Sequence, residues 1–113
     1  MQSELSLGPN MKIFAVIRRR GAAWQSSVPL EGQQEWAAHA RFMNDLAAKG
    51  AVVLGGPLEG TPDVLLVMRA GSAEEAAEHL HDDPWTALNL LVIKKITPWT
   101  LRLGALPSVA ESQ

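Results

Sequence analysis

Two residues of this sequence, His39 and Asp83, have the side chains to handle a proton together. His39 lies three residues after Trp36 and four before Met43, inside the apolar stripe of a helical pattern. A polar ring at such a position is costly unless it finds a hydrogen-bond partner, and imidazole titrates near neutral pH. A carboxylate that accepts from one ring nitrogen raises the basicity of the other. The pattern therefore indicates a general base, His39, with Asp83 as its orienting group.

Both residues also have a structural interpretation. His39 could be a core histidine satisfied by a backbone carbonyl. Asp83 precedes Pro84 and could only organise a turn, and Asp82 could serve equally well as the partner. No serine or cysteine nucleophile with an evident partner is present, which disfavours acyl transfer.

Metal and cofactor chemistry have weaker support in the sequence. A metal site from His79, His81, Asp82 and Asp83 is conceivable, but their spacing matches no strong motif, and we expect no metal. The segment 55–57, Gly-Gly-Pro, fits neither phosphate-binding pattern. We therefore expect a protein that works without a cofactor.

Composition limits the class of protein. The chain has 113 residues, enough for one domain with a modest core, and its lack of cysteine excludes disulfides and fits a cytoplasmic location. The net charge of -2 gives no case for nucleic acid or an anionic membrane as a partner. The arginines at 18–20 are interpreted as a solvated strand end. No apolar stretch approaches the ~20 residues needed to cross a bilayer.

Two amphipathic helices are predicted. The first begins near residues 31–34 and ends at Gly50, a residue that readily takes the left-handed conformation of a helix end. Its apolar stripe comprises Trp36, Ala40, Met43, Leu46 and Ala47. The second opens at a capping box, Ser72 with Glu75.

Four strands are predicted around these helices, at residues 12–17, 51–54, 64–68 and 90–103. The second strand is expected to end in a turn at 55–57, and the fourth is interrupted by Pro98. Beyond that proline, Trp99, Leu101 and Leu103 alternate with polar residues, a half-buried pattern. Residues 11–104 form the predicted domain, between a flexible leader at 1–10 and a flexible tail at 105–113.

This element order predicts an α+β fold, the ferredoxin-like βαββαβ arrangement, with an antiparallel sheet and both helices on one face. The first three strands are apolar at consecutive positions, so both sheet faces need burial. We therefore expect a homodimer that packs open sheet face against open sheet face. Burying ~1,000 Å² there would contribute on the order of 25 kcal/mol before the costs of association. A larger partner protein is the alternative.

The chain resembles the YCII-related (YciI-like) family, a branch of the dimeric α/β-barrel proteins, from about residue 12 to 103. The resemblance rests on W-A-A-H-A-R-F-M, L-A-A-K-G-A-V-V-L-G-G-P, D-D-P-W and I-T-P-W, in this order. It implies a homodimer with a pocket near the sheet that contains His39 and Asp83, with Gly56 and Pro57 as a backbone wall. It also implies lyase- or isomerase-like chemistry.

We therefore expect a cofactor-independent enzyme in which His39 moves a proton on a small cyclic or aromatic metabolite. The side chains expected to bind this substrate are Trp24, Trp36 and Trp85, with Gly56 and Pro57 as close backbone. The loop at 21–32, which carries Trp24, is longer than in the shortest family members and could reshape the pocket. The alternative is a non-catalytic dimeric module that binds a small molecule or a partner protein.

Overall fold

A computed structural model describes residues 11–106 of the chain. The strands are β1 (Lys12–Arg20), β2 (Val52–Pro57), β3 (Asp63–Ala70) and β4 (Leu91–Pro98). The helices are α1 (Trp36–Ala48), α2 (Ala73–His81) and the short α3 (Pro84–Ala87), and a 3-10 turn spans Leu30–Gly32. The predicted leader at 1–10 lies outside the described residues, as does the predicted tail beyond residue 106.

The four strands form one antiparallel sheet in the order β2-β3-β1-β4, which confirms the predicted α+β ferredoxin-like topology. Alternate residues of β1, Phe14 and Val16, are buried and pack in one cluster with Leu46 of α1 and Leu80 of α2. Both helices therefore lie on the same face of the sheet. No helix within residues 11–106 has the length and apolar character to cross a membrane.

The ends of the helices follow their local sequence. Ser72 caps α2 as predicted, because its hydroxyl accepts from the Glu75 backbone N–H at 3.1 Å. The Glu75 carboxylate, however, accepts from the N–H of Gly71 rather than from that of Ser72. Helix α1 begins at Trp36, later than predicted, because Glu35 takes the left-handed conformation, with φ of 59°. Gly50 follows α1 with φ of 85°, the conformation predicted for it.

Two strand boundaries were predicted wrongly. β2 does not turn at Gly55 but continues to Pro57, because it is an edge strand, where proline costs no ladder bond. β4 ends at Pro98, and the residues that follow it, up to 106, form no strand. In the register of β4 against β1, Pro98 lies opposite Phe14, so hardly any strand remains beyond it to pair with. Leu103, predicted to be half-buried, is 91% exposed.

The sheet face away from the helices also carries apolar side chains. Ile17 of β1 lies opposite Leu65 of β3, and Ala15 lies opposite Val67. Side chains of directly paired residues point to the same face, so these four share the face opposite Phe14 and Val16. The pairing thus places apolar side chains on both faces of the sheet.

Candidate active site

The carboxylate of Asp83 is the centre of the site. His39 Nδ1 lies 2.9 Å from Oδ1 and 3.0 Å from Oδ2 of this carboxylate. Arg18 Nη1 donates to Oδ2 at 2.8 Å, and the backbone N–H of Trp85 donates to Oδ1 at 3.0 Å. The structure therefore brings together His39 and Asp83, the two residues singled out in the sequence, and adds a buried arginine to them.

Asp83 also organises the turn between α2 and β4. It is the N-cap of α3, and Pro84 occupies the first helical position, where a missing N–H is tolerated. The capping bond to Trp85 turns the carboxylate inwards, whereas Asp82 is exposed and contacts His81 at 3.2 Å. The Asp83 side chain therefore both caps the turn and pairs with His39, and Asp82 does not pair with His39.

The conceivable metal site at the end of α2 does not assemble. His79 is 3.8 Å from Glu75, and His81 and Asp82 point to solvent, while Asp83 faces the interior. No group of three or more histidine, cysteine, aspartate or glutamate side chains in residues 11–106 is placed to hold a metal ion.

The ionised state of Asp83 determines which ring nitrogen of His39 is the donor. Burial raises the pKa of the Asp83 carboxyl, but the hydrogen bonds from His39, the Trp85 backbone and Arg18 together lower it below its ordinary value. The ionised carboxylate can only accept, so His39 Nδ1 is the donor, and Nε2 of the neutral ring carries the lone pair. Nε2 makes no hydrogen bond with any residue in the described range. It is therefore free to accept a proton.

Arg18 was wrongly interpreted as part of a solvated strand end. Its side chain is 1% exposed, because Arg18 follows Phe14 and Val16 in the two-residue alternation of β1 and points to the helix face. Nη2 donates to the Thr86 hydroxyl at 3.1 Å, and that hydroxyl donates to the Leu80 carbonyl at 2.9 Å. Arg19 and Arg20 are exposed, as interpreted.

Two of the three tryptophans predicted to bind substrate, Trp85 and Trp36, contact the His39 ring, and the third, Trp24, contacts Trp85. The ring of Trp85 stacks on the His39 ring with 3.8 Å between centroids and 4° between planes. Its indole N–H donates to the Gln34 carbonyl at 2.6 Å, just before α1 begins. Trp36 lies 5.9 Å from both rings, and Trp24 meets Trp85 edge-on at 5.6 Å. The orientation of the histidine is therefore set by Asp83 at its edge and by Trp85 at its face.

Gln33, which the sequence did not single out, holds the loop that carries Trp24. Its side-chain N–H₂ donates to the carbonyls of Gln25 at 2.8 Å and Val28 at 2.9 Å. Its side-chain oxygen accepts from the Gln25 backbone N–H at 3.0 Å. These bonds all go to main-chain atoms, and Gln33 itself is buried. The loop is thus fixed against the start of α1.

Gly21 allows the same loop to approach the sheet. Its N–H donates to the Leu90 carbonyl at 2.9 Å, and a Cβ at this position would lie 2.2 Å from the Asn89 carbonyl oxygen. Only glycine can come this close to a backbone atom. The loop therefore leaves β1 in close contact with the turn before β4.

His39 and the aromatic rings beside it border a partly open cavity of about 300 Å³. Its wall includes His39, Trp36, Trp24, Arg18, Arg20 and, from β2, the segment 55–57 with Gly56 and Pro57. Within this segment Gly55 pairs with the buried Leu66, whereas Gly56 pairs with Leu65. A Cβ atom at position 56 would therefore point to the open sheet face. Gly56 borders the cavity with its backbone.

Comparison with known proteins gives one match. A family model described as the YCII-related domain matches residues 11–100. The matched stretch begins just before β1 and ends past β4, so it contains every residue of the cavity wall and Asp83. No curated protein and no solved structure matches the chain.

Proposed function

Because the chain belongs to the YCII-related domain family, we propose that this cavity is the active site of a small cofactor-independent enzyme. His39 is its general base and acid, Asp83 orients His39, and the reaction is an isomerisation or an elimination. The observation that carries the proposal is the asymmetry of the His39 ring. Its Nδ1 is held by Asp83 at 2.9 Å, while its Nε2 has no partner among residues 11–106 and the ring borders the cavity.

The chemistry needs only proton transfer. His39 Nε2 takes a proton from a carbon next to an electron-withdrawing group, and the C–H electron pair moves into the adjacent π system. Return of the proton to another carbon completes an isomerisation, and departure of a leaving group completes an elimination. The imidazolium formed in either case is stabilised by the Asp83 carboxylate at Nδ1.

The walls of the cavity set the kind of substrate. A cavity of about 300 Å³ holds on the order of ten non-hydrogen atoms at ~30 Å³ each. Trp24 and Trp36 are half-exposed and offer apolar faces to it. Trp85 has no exposed surface, so we assign to it the support of the His39 ring. The substrate is thus a small metabolite with a flat apolar body.

The test measures the proton transfer itself. The protein is incubated in D₂O with a panel of small metabolites, and mass spectrometry detects deuterium that enters carbon positions. Wild-type protein is expected to label at least one compound, and His39→Gln is expected to abolish the labelling. His81→Gln is the matched control, because His81 is exposed at the last residue of α2 and does not border the cavity. Labelling that survives in the His39→Gln variant would sink the proposal.

A second readout needs no substrate. Nitrogen NMR of the histidine side chains reports which ring nitrogen carries the proton. For His39 we expect the Nδ1–H form, because the Asp83 carboxylate accepts from this nitrogen. A His39 ring with the proton on Nε2 would mean that the free lone pair faces Asp83 and that no base faces the cavity.

A non-catalytic binding module is the second candidate, and the aromatic character of the cavity favours it. Trp24 and Trp36 would hold a flat ligand whether or not His39 moves a proton. Ligands that raise the melting temperature of wild-type protein and of His39→Gln by equal amounts, without deuterium labelling, would favour this module over the enzyme.

We propose two further properties of the whole protein. The apolar sheet face with Ala15, Ile17, Leu65 and Val67 supports a homodimer built through this face. The absence of cysteine supports a cytoplasmic location.

A further inference from the structure

The wall of the cavity includes an exposed cation, Arg20, although the chain as a whole has a net charge of -2. Arg18 is paired with Asp83, and Arg19 and Lys94 are both paired with Asp63, which borders the cavity. Arg20 also borders the cavity and forms no ion pair with any residue in the described range. Arg19 and Lys94 do not border the cavity, so Arg20 is the cation of its wall that no carboxylate within residues 11–106 neutralises.

Arg20 is placed to receive an anion. Its guanidinium carbon lies 4.5 Å from the centroid of the Trp24 ring, a cation–π contact that holds the planar group at the cavity wall. A guanidinium donates in its own plane, where a carboxylate can accept two parallel hydrogen bonds. Because the ring contact occupies only its face, the donors at its edge remain available.

Arg20 and the base are linked through a continuous row of rings. Arg20 lies over Trp24, Trp24 meets Trp85 edge-on, and Trp85 stacks on His39. Trp85 has no exposed surface, but Arg20, Trp24, Trp36 and His39 all border the cavity, so a flat ligand against Trp24 and Trp36 would lie between a cation and a proton acceptor. The unneutralised charge of Arg20, its position and the apolar wall point to the same kind of molecule.

We propose that the cavity binds a small carboxylic acid with a flat, unsaturated or aromatic body. Its carboxylate is bound by the Arg20 guanidinium, its body lies against Trp24 and Trp36, and a carbon-bound proton faces His39 Nε2. Only the last contact rests on the proposed function, because the binding of the carboxylate needs Arg20 and the tryptophans alone.

Binding of three probes tests the proposal. Benzoate, benzamide and benzylamine share one ring and differ in charge, and their affinities are measured by NMR titration. Benzoate is expected to bind most tightly and to weaken as salt is added, because the attraction of Arg20 is electrostatic. The variant Arg20→Gln is expected to weaken benzoate by about tenfold and to leave benzamide unchanged. Arg20→Lys, which keeps the charge but loses the planar fork, should fall between the two.

The control is Arg41→Gln, which removes an exposed arginine of α1 that does not border the cavity and should bind benzoate as wild-type protein does. Equal affinity for benzoate and benzamide, no binding of benzoate at millimolar concentration, or full benzoate affinity in Arg20→Gln would each overturn the proposal. Displacement of benzoate by equimolar inorganic phosphate would overturn the choice of a carboxylate.

Failure of the enzyme proposal can be told apart from failure of this one. If wild-type protein labels no metabolite, but wild-type and His39→Gln proteins both bind benzoate more tightly than benzamide, the enzyme proposal is wrong and the carboxylate site is supported. If wild-type protein does not prefer benzoate to benzamide, but His39 has the Nδ1–H form and deuterium labelling occurs, the carboxylate site is wrong and the general base is supported.

Discussion

Arg18 and Asp83 form a buried ion pair, with Nη1 and Oδ2 2.8 Å apart and both side chains almost completely shielded from solvent. Burial of two charges is costly, and their attraction offsets that cost only when the geometry is good. Here the carboxylate accepts from three donors, from Arg18, His39 and the Trp85 backbone. The hydrogen bonds from His39, the Trp85 backbone and Arg18 together keep Asp83 ionised, as the acceptor that His39 needs.

Removal of the arginine should destabilise the fold strongly. Arg18→Met fills a similar volume but leaves Asp83 buried without its cation, and we expect a loss of ~3–5 kcal/mol in the free energy of unfolding. Urea denaturation measures it. Arg19→Gln is the matched control from the same strand, since it breaks an exposed pair with Asp63 and should cost less than ~1 kcal/mol. Equal losses in the two variants would show that the buried pair contributes no more than the exposed one.

The stability of the protein should decline at acid pH through Asp83. The folded state lowers the pKa of this carboxyl. Its contribution is therefore complete above the unfolded-state pKa of ~3.9 and is lost as pH falls through the lower folded-state value. Below about pH 4 the free energy of unfolding of wild-type protein should fall more steeply with pH than that of Asp83→Asn.

Denaturant titrations at a series of pH values measure this slope. Asp82→Asn, which changes the exposed neighbour, should keep the wild-type slope. If Asp83→Asn and wild-type protein have parallel profiles below pH 4, the buried carboxylate does not contribute to acid stability in the way described.

The sequence predicted His39 and Asp83 but not Arg18, and the difference has a physical cause. A histidine in an apolar helical stripe and an aspartate before proline are conspicuous for their positions. Arg18 stands in a run of three arginines, and the run obscures the two-residue alternation with Phe14 and Val16 that places it inside. The alternation of Phe14, Val16 and Arg18 was the sequence signal that could have predicted a buried Arg18.

Other differences come from contacts that no local pattern contains. The alternation of Trp99 and Leu103 resembles a strand, but β1 begins at Lys12 and offers hardly any backbone with which to pair. Gln33 is an ordinary polar residue in the sequence, and its three bonds to the loop backbone depend on the folded path of that loop. The apolar residues on both sheet faces, in contrast, follow from the consecutive apolar positions, and the ferredoxin-like arrangement follows from the element order, whereas the order of the strands in the sheet came from the structure.

Two glycines, Gly21 in the loop and Gly56 at the cavity, should differ in their tolerance of alanine. Gly21→Ala places a Cβ 2.2 Å from the Asn89 carbonyl oxygen, a backbone atom, and should destabilise by ~1–3 kcal/mol. Gly56→Ala meets no atom within 4 Å and should change the free energy of unfolding by less than ~0.5 kcal/mol. Thermal unfolding of both variants measures the difference. A harmless Gly21→Ala would mean that the loop does not approach the turn before β4 so closely.

The apolar open face should make the protein a dimer. Sedimentation equilibrium at micromolar concentration is expected to give twice the chain mass of 12.2 kDa. Leu65→Glu, which places a charge in the middle of this face, should shift the protein to the monomer, with its fold checked by circular dichroism. Ala37→Glu, on the exposed side of α1, is the control and should remain dimeric. A wild-type particle of single-chain mass would contradict the dimer.

The hold of Gln33 on the loop has a consequence for how this scaffold can change. Its amide forms hydrogen bonds with main-chain atoms of Gln25 and Val28 and with no side chain of the segment between them, which contains the exposed Ser26 and Ser27. The shape of this segment is thereby uncoupled from its composition. Substitutions at these two serines would place different side chains near Trp24 without changing the bonds of Gln33, the sheet or the buried ion pair. The segment can therefore vary in sequence and alter which ligands enter the cavity.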